Sequence, residues 1–260
     1  MTNFSEESGP ADASLDEDVA DLRASLDDLA GLVTEGLSLD EVLAHVAKFA
    51  AHAVPGADGA GVTLLRTDGS ENLVEALAAS DPFVAEIDEI QYVGVHEGPC
   101  ITAALERRTV RSGSLGGEQL WPRFGPRVGR LGVHSVLSLP LLLPGQVVGA
   151  INVYARAKNT FGEHAVDLGE SFARPAAVAV HNAQILARAV TLTAHLQAAL
   201  SSRPIIDQAI GLIRGRTGAT AEAALTRLRD ISQREHRKLR EVAQQMVDQA
   251  VRSAASRRRT

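Results

Sequence analysis

The spacing of the apolar residues changes twice along this chain, and each change indicates a different kind of structure. Near the N-terminus they recur at alternating steps of four and three, the a/d pattern of a coiled-coil helix, at Leu15, Val19, Leu22, Leu26, Leu29 and Val33. Short apolar runs separated by turn residues follow, and helical spacing returns at about residue 162. The pattern predicts a strand-rich domain enclosed between helical segments.

The strand-rich stretch begins after a capping box at residues 38–41, which predicts a helix to about residue 53. Helices are also predicted at 82–89, 99–107 and 162–173. The dipeptide Pro144-Gly145 separates two apolar runs and predicts a hairpin turn. Strands are predicted at 61–66, 73–78, 90–95, around Val110, at 136–143 and at 147–154.

A second heptad pattern follows the strand-rich stretch, and Pro175 is expected to kink the helix there or to mark a helix start. Its members are Asn182, Ile185, Ala189, Leu192, Leu196 and Ala199. Two heptad patterns flanking one domain favour a parallel homodimer. The alternative is that each helix packs on its own domain.

The two ends of the chain carry opposite charge. Residues 187–260 contain 14 Lys and Arg against 6 Asp and Glu, which leaves 12 basic and 26 acidic residues of the totals of 26 and 32. This asymmetry favours a polyanionic partner for the C-terminal end alone, with an ordinary solvated helical face as the alternative. Three helices are predicted there: one at 204–214, one capped by Thr220 and one from Leu239.

This basic segment resembles the ANTAR family of RNA-binding antiterminators. The resemblance rests on Gln208-Ala209-Ile210-Gly211, Gly218, Ala224, Leu228-Arg229, Ser232, Lys238-Leu239 and Val242-Ala243. It implies an all-α three-helix module that binds paired hairpin loops in nascent transcripts. Three residues depart from the family pattern, which often has Lys at Ile210, an aromatic at Leu225 and Asn at His236.

The resemblance implies a set of RNA-binding residues. Basic side chains neutralise phosphates, Gln208 reads base edges, and small residues let a helix approach a nucleotide closely. Each basic residue could instead be an ordinary surface charge. The predicted set is Gln208, Ala209, Gly211, Leu212, Arg214, Arg216, Arg229, Ser232, Arg237 and Lys238.

The strand-rich stretch resembles a GAF domain through Glu97-Gly98-Pro99-Cys100, Trp121 with Phe124, residues 132–140 and residues 149–154. The resemblance implies an α+β fold with a GAF/PAS-like antiparallel sheet, and it leaves open an unidentified small-molecule ligand. The predicted organisation is a disordered acidic tail (1–14), an acidic coiled-coil helix (15–36), the GAF domain (37–185), a coiled-coil linker helix (186–200), the ANTAR domain (201–252) and a basic tail (253–260).

The sequence gives little support to a catalytic function. Cys100 is the single cysteine, so a thiol-based redox enzyme would have no resolving partner, although the redox reading stays open as a third hypothesis. The eight histidines form no metal-ligand pattern, so neither a metal nor a cofactor is predicted. With neither a signal peptide nor a run of roughly 20 apolar residues, we expect a cytoplasmic, non-enzymatic regulator that does not enter a membrane. The alternative function is a GAF sensor whose C-terminal helices bind DNA or a protein.

Overall fold

The structure is a computed structural model that describes residues 10–32, 36–65 and 74–257. The chain forms two compact units, Met1–Ala187 and Arg188–Thr260. The first unit is built on a sheet, and the described residues of the second form helices and the turns between them.

The sheet of the first unit has five antiparallel strands in the order β2-β1-β5-β4-β3. Pro144 and Gly145 connect the two longest strands, and Gly145 has a φ of +81°, which glycine adopts without strain. The predicted α+β class and hairpin are therefore confirmed. The strands are β1 Gly59–Leu65, β2 Val74–Ala79, β3 Val110–Ser112, β4 Ser135–Leu143 and β5 Gln146–Ala155.

Helices cover both faces of the sheet, because alternate residues of a strand point to opposite sides. On β4, Leu137 and Leu139 belong to the core formed with α1, α2 and α6, whereas Val136 belongs to the core formed with α3, α4 and α5. The second core also contains Trp121 and Phe124. The helices are α1 Pro10–Gly31, α2 Leu39–Ala53, α3 Pro82–Glu89, α4 Pro99–Glu106, α5 Gly125–Arg130 and α6 Glu163–Thr217.

The strand predicted at 90–95 is wrong. Ile90–Val95 is a π-helix that continues from α3. Gln91 and Val95 are buried while Val93 is 73% exposed. Burial at a spacing of four residues fits a helical segment and does not fit the alternation of a strand.

Helix α1 begins at Pro10, inside the segment predicted to be a disordered tail, and residues 1–9 lie outside the described part. Proline is compatible with the first turn of a helix because its missing N–H would have no partner there. Leu22 and Leu29 of the first heptad pattern are buried in the core of their own domain, together with Leu32. Packing on its own domain therefore accounts for this pattern, whose last member, Val33, lies outside the described residues.

Helix α6 is continuous over 55 residues. It passes through Pro175 and Pro204, so the predicted helix start at Pro175 and the predicted separate helices at 162–173 and 204–214 are wrong. The predicted linker helix at 186–200 lies within α6. Phe172 and Ala176, which flank Pro175, are both fully buried against the sheet. Their packing stabilises the helix on both sides of the proline and offsets the lost backbone hydrogen bond.

The second unit contains the end of α6, α7 Ala221–Arg234 and α8 Leu239–Arg257. Thr220 caps α7 as predicted, because its side chain accepts a hydrogen bond from the Ala223 N–H. The predicted basic tail begins inside α8, and residues 258–260 lie outside the described part. The three helices enclose a small core of Ala209, Ile213, Ala224, Leu228, Val242 and Ala243. The predicted three-helix module is confirmed.

Candidate nucleic-acid interface

The turn between α7 and α8 contains two of the predicted RNA-binding residues. Ser232 Oγ donates a hydrogen bond to the Arg237 carbonyl at 2.5 Å, and the Arg237 N–H donates to the Ser232 carbonyl at 3.0 Å. The Arg237 guanidinium donates to Glu235 at 3.3 Å and to Gln245. Both residues therefore hold the turn together and position α8, and their contact with RNA stays a prediction.

His236, in the same turn, has a φ of +52°. Asn adopts this left-handed conformation more readily than most residues, and His is also enriched there. The departure from the family's Asn at this position is therefore compatible with the same backbone.

A basic depression runs along α8 from this turn. The exposed cations Lys238, Arg240 and Arg252 line it, together with Arg237 and the polar side chains of Gln244 and Gln245. Glu241 and Asp248 also reach it, but the basic side chains outnumber them. Arg240 and Arg252 were not among the predicted residues; Arg252 could have been placed near the face of Lys238 because fourteen residues are close to four helical turns. The depression can hold a phosphate backbone.

A second surface, the apolar groove, lies between α6 and α8. Gln208, Gly211 and Leu212 form one wall. The other wall consists of Val247, Ala250, Val251 and Ala254. Val251 is 63% exposed. The groove therefore presents an apolar surface outside the three-helix core.

Gly211 supports this interpretation of the groove. Glycine inside a helix costs about 1 kcal/mol relative to alanine, so its presence there usually has a packing reason. A Cβ added to Gly211 would meet no atom within 4 Å in the described structure. The packing of this chain therefore does not require glycine there, and the missing side chain leaves this wall of the groove open.

The remaining predicted residues divide into two groups. Ala209 is fully buried in the three-helix core, so its predicted RNA contact is wrong: its small side chain lets α6 pack against α7 and α8. Arg214, Arg216 and Arg229 are exposed but lie outside the linings of the basic depression and of the apolar groove. Ile210 is half-buried against the core, which explains why an apolar residue is tolerated where relatives often have Lys.

Cys100 lies in the first turn of α4 and is fully buried. Burial raises the pKa of its thiol, which disfavours the thiolate that redox and nucleophilic chemistry require. Within the described residues, no group of three or more His, Cys, Asp and Glu side chains is placed to hold a metal ion. Among the same residues, no helix is both long and apolar enough to cross a membrane.

Comparison with protein families gives two matches. The GAF domain model matches residues 36–181, and the ANTAR domain model matches residues 194–247. The GAF match covers more than half of the 260-residue chain. Comparison with curated proteins gives no significant match.

A solved GAF structure supports the fold of the first unit, and a second is reported only as a similar chain. The GAF domain of a phosphoenolpyruvate-protein phosphotransferase from Coxiella burnetii is 15% identical and has a TM-score of 0.52, and the match covers 66% of this chain and 96% of that chain. The free methionine-R-sulfoxide reductase of Neisseria meningitidis is 16% identical with a TM-score of 0.47, and the match covers 64% of this chain and 91% of that chain. At this level of identity the likeness concerns the fold alone. With a GAF domain followed by an ANTAR domain, the chain belongs to the GAF–ANTAR proteins, a family of RNA-binding antitermination regulators with a sensory domain.

Proposed function

We propose that this protein binds paired hairpin loops in a nascent transcript and prevents an overlapping terminator hairpin from forming. One observation carries the proposal: the basic depression and the apolar groove lie on the same three-helix unit and share helix α8. A single-stranded loop presents both a phosphate backbone and unstacked bases, so it can use both surfaces at once.

The two surfaces have different tasks in this proposal. Lys238, Arg240 and Arg252 neutralise phosphates and release counterions. The groove packs against an unstacked base, and Gln208 at its edge can donate to and accept from a base edge. Gly211 permits the close approach.

Two RNA-binding units are needed for two loops, and α6 offers a surface for a parallel homodimer. Ile185, Leu192 and Leu196 of the second heptad pattern are 52%, 59% and 57% exposed, and Leu186 and Val190 beside them are also exposed. The side chain of Ala199 lies outside the described part. A second copy of α6 would cover this apolar face.

In this proposal the protein is not an enzyme, the GAF domain senses an unidentified small molecule, and the site of action is the cytoplasm, where transcripts are made.

RNA binding is tested with the full-length protein and three probes: a paired-hairpin RNA selected from a library with random loops, one of its hairpins alone, and duplex DNA. We expect the paired RNA to bind at least tenfold more tightly than the single hairpin, and the duplex DNA to bind most weakly. Duplex DNA binding as tightly as RNA would support the alternative DNA-binding function. If none of the nucleic acids binds, the proposed function is wrong.

Replacing Lys238 and Arg240 by Ala is expected to weaken RNA binding and to flatten the slope of log K against log salt by about one unit per lost phosphate contact. Binding is measured by fluorescence anisotropy at several salt concentrations from roughly 50 to 300 mM, and the slope is taken from these affinities. The matched control removes two exposed arginines of the GAF domain, Arg107 and Arg108. Equal losses in both variants would place the RNA surface elsewhere.

Replacing Ala250 by Glu introduces a charge into the wall of the apolar groove. We expect at least a tenfold loss of RNA affinity with a nearly unchanged circular dichroism melting curve, because Ala250 is only half-buried in the folded unit. The control is Gln249→Glu, an exposed position next to it that does not line the groove. A loss of the same size in the control would mean that charge alone, and not the groove, explains the effect.

A further inference from the structure

The face of the GAF sheet below α3 contains a polar cluster that the RNA-binding function does not use. Gly59 and Gly61 lie on β1 where α3 crosses it: a Cβ on Gly61 would come within 3.0 Å of Val84 and 3.1 Å of an Asp88 carboxylate oxygen. The two glycines therefore let α3 approach the sheet and place Asp88 directly over β1. We call the surrounding residues the Asp88 cluster: Asp88, Gln91, Tyr92, Cys100, Thr63, Asn152 and Tyr154.

Part of this cluster is connected by hydrogen bonds. The Tyr92 hydroxyl donates to Thr63 Oγ1 at 2.9 Å, and Ser138 Oγ donates to Asn152 Oδ1 at 2.6 Å. The Cys100 N–H donates to Gln91 Oε1 at 3.4 Å. The Cys100 thiol lies beside Tyr92, Asn152 and Thr63. These contacts join the π-helix after α3, helix α4 and the strands β1, β4 and β5 into one site.

The other polar atoms of the cluster have no partner within the described structure. They are both carboxylate oxygens of Asp88, Gln91 Nε2, Asn152 Nδ2 and the Tyr154 hydroxyl. All four side chains are buried, and Asp88 is only 3% exposed. An unpartnered buried polar group costs about 1–3 kcal/mol, so native proteins leave very few. Five such atoms around one point of the sheet indicate a site that a ligand completes.

The chemistry of these atoms restricts the ligand. An ionised carboxyl accepts hydrogen bonds and does not donate them, so Asp88 requires donors or a cation. The two amide groups donate, so they require an acceptor. We propose that the Asp88 cluster binds a small primary amine that also carries a carbonyl or carboxylate oxygen, with its ammonium on Asp88 and its oxygen on Gln91 Nε2 and Asn152 Nδ2. This inference rests on the proposed sensory role of the GAF domain and gives that role a ligand class.

The titration of Asp88 is consistent with this class. Desolvation raises the pKa of Asp88 from 3.8 to about 7. The other titratable groups facing it are Tyr92 after α3, Cys100 on α4 and Tyr154 on β5, and burial raises the pKa of all three, so none of them supplies a positive charge. An ammonium ion would supply that charge and hold the carboxyl ionised.

The connection after α3 offers a route into the site. Gln91 and Tyr92 belong to the π-helix, and this segment ends at His96, which has a φ of +53°, shortly before Gly98 at +157°. π-Helices are rare and are found mostly at functional sites. A rearrangement of this segment would move two members of the cluster without unfolding the sheet.

The test uses the full-length protein and a panel of probes: glycinamide, β-alanine, γ-aminobutyrate and agmatine, each beside its N-acetylated form. Agmatine has no carbonyl or carboxylate oxygen, so it checks the role of the two amides. We expect a thermal shift with at least one amine–oxygen compound and none with the acetylated forms or agmatine. Asp88→Asn should weaken that binding at least tenfold. Glu86→Gln, which changes an exposed acid of the same helix, should not.

Proton linkage gives a second readout. An ammonium that binds the ionised Asp88 must displace its proton. Calorimetry in two buffers with β-alanine or γ-aminobutyrate, whose amines stay charged over this range, should therefore show release of nearly one proton at about pH 6 and almost none at about pH 8.5. Three results would overturn the proposal: no thermal shift with any amine, equal shifts with the acetylated forms, or unchanged amine binding by Asp88→Asn. Ordered water would then be the partner of these atoms. RNA binding is measured separately in Asp88→Asn without ligand. If Asp88→Asn binds RNA normally and the wild type binds no amine, only the ligand proposal is rejected. If the wild type binds an amine but does not bind RNA, only the RNA proposal is rejected.

Discussion

Asp88→Asn is expected to make the GAF domain more stable above pH 8, by up to roughly 4 kcal/mol, and to remove a fall in stability between about pH 4 and 7. The pKa of Asp88 is raised from 3.8 to about 7 in the folded chain, so the folded state binds a proton more tightly than the unfolded state. The stabilisation that this proton gives is complete below pH 4 and is lost as the pH rises through 7. The magnitude follows from about three pKa units at roughly 1.4 kcal/mol each.

Trp121 provides the measurement. It is the single tryptophan and is buried in the GAF core, so its fluorescence during urea denaturation follows this domain alone. The free energy of unfolding of the wild type should fall with pH across the stated range, and that of Asp88→Asn should change much less. Glu86→Gln serves as the control because Glu86 is exposed. Parallel curves for the wild type and Asp88→Asn would contradict the raised pKa.

Leu22→Asp and Leu192→Asp are expected to have opposite effects, although both residues belong to heptad patterns. Leu22 is 8% exposed within its own domain, so a charge there should destabilise the GAF domain by about 4 kcal/mol or more, through lost apolar contacts and an unpaired buried carboxylate. Leu192 is 59% exposed, so Leu192→Asp should change the stability of the isolated fold by less than about 0.5 kcal/mol and should weaken the proposed homodimer. Trp121 fluorescence measures the first quantity and light scattering the second.

The choice of protein concentration separates the effect on fold stability from the effect on dimerisation. Urea denaturation at submicromolar protein limits the contribution of association, and light scattering at tens of micromolar detects the dimer. Leu192→Glu, a second charged variant, should repeat the result of Leu192→Asp. A wild-type protein that stays monomeric at tens of micromolar would rule out the α6 dimer, and a stable Leu22→Asp variant would mean that α1 does not contribute to the core.

Features that depend on neighbouring residues were predictable from the sequence. The turn at Pro144 and Gly145, the cap of α7 at Thr220 and the capping box at Ser38 are all present in the structure. Each depends on residues within three or four positions, so local composition carries the information. The α+β class followed from the resemblance to a GAF domain, which rests on short motifs of neighbouring residues.

Features that depend on what packs against a segment were not predictable. The same apolar spacing is a buried face in α1 and an exposed face in α6. Ala209 and Gly211 belong to one matched motif, but Ala209 faces the core and Gly211 faces the groove. Similarly, nothing in the sequence distinguishes Ser232 and Arg237 from ordinary surface polar residues. In the structure the α7–α8 turn brings them into hydrogen-bonding contact.

The sequence by itself therefore determined the order and type of the domains, the helical caps and the charge of the C-terminal unit, because these properties depend on residue type and short-range spacing. Only the tertiary structure decided which apolar stripe remains exposed, which cations share the basic depression, and that Asp88 lies buried over β1. Those outcomes depend on contacts between residues far apart in the chain: Asp88 and Asn152, for example, meet in one cluster because α3 crosses a sheet in which Gly61 is paired with Asn152.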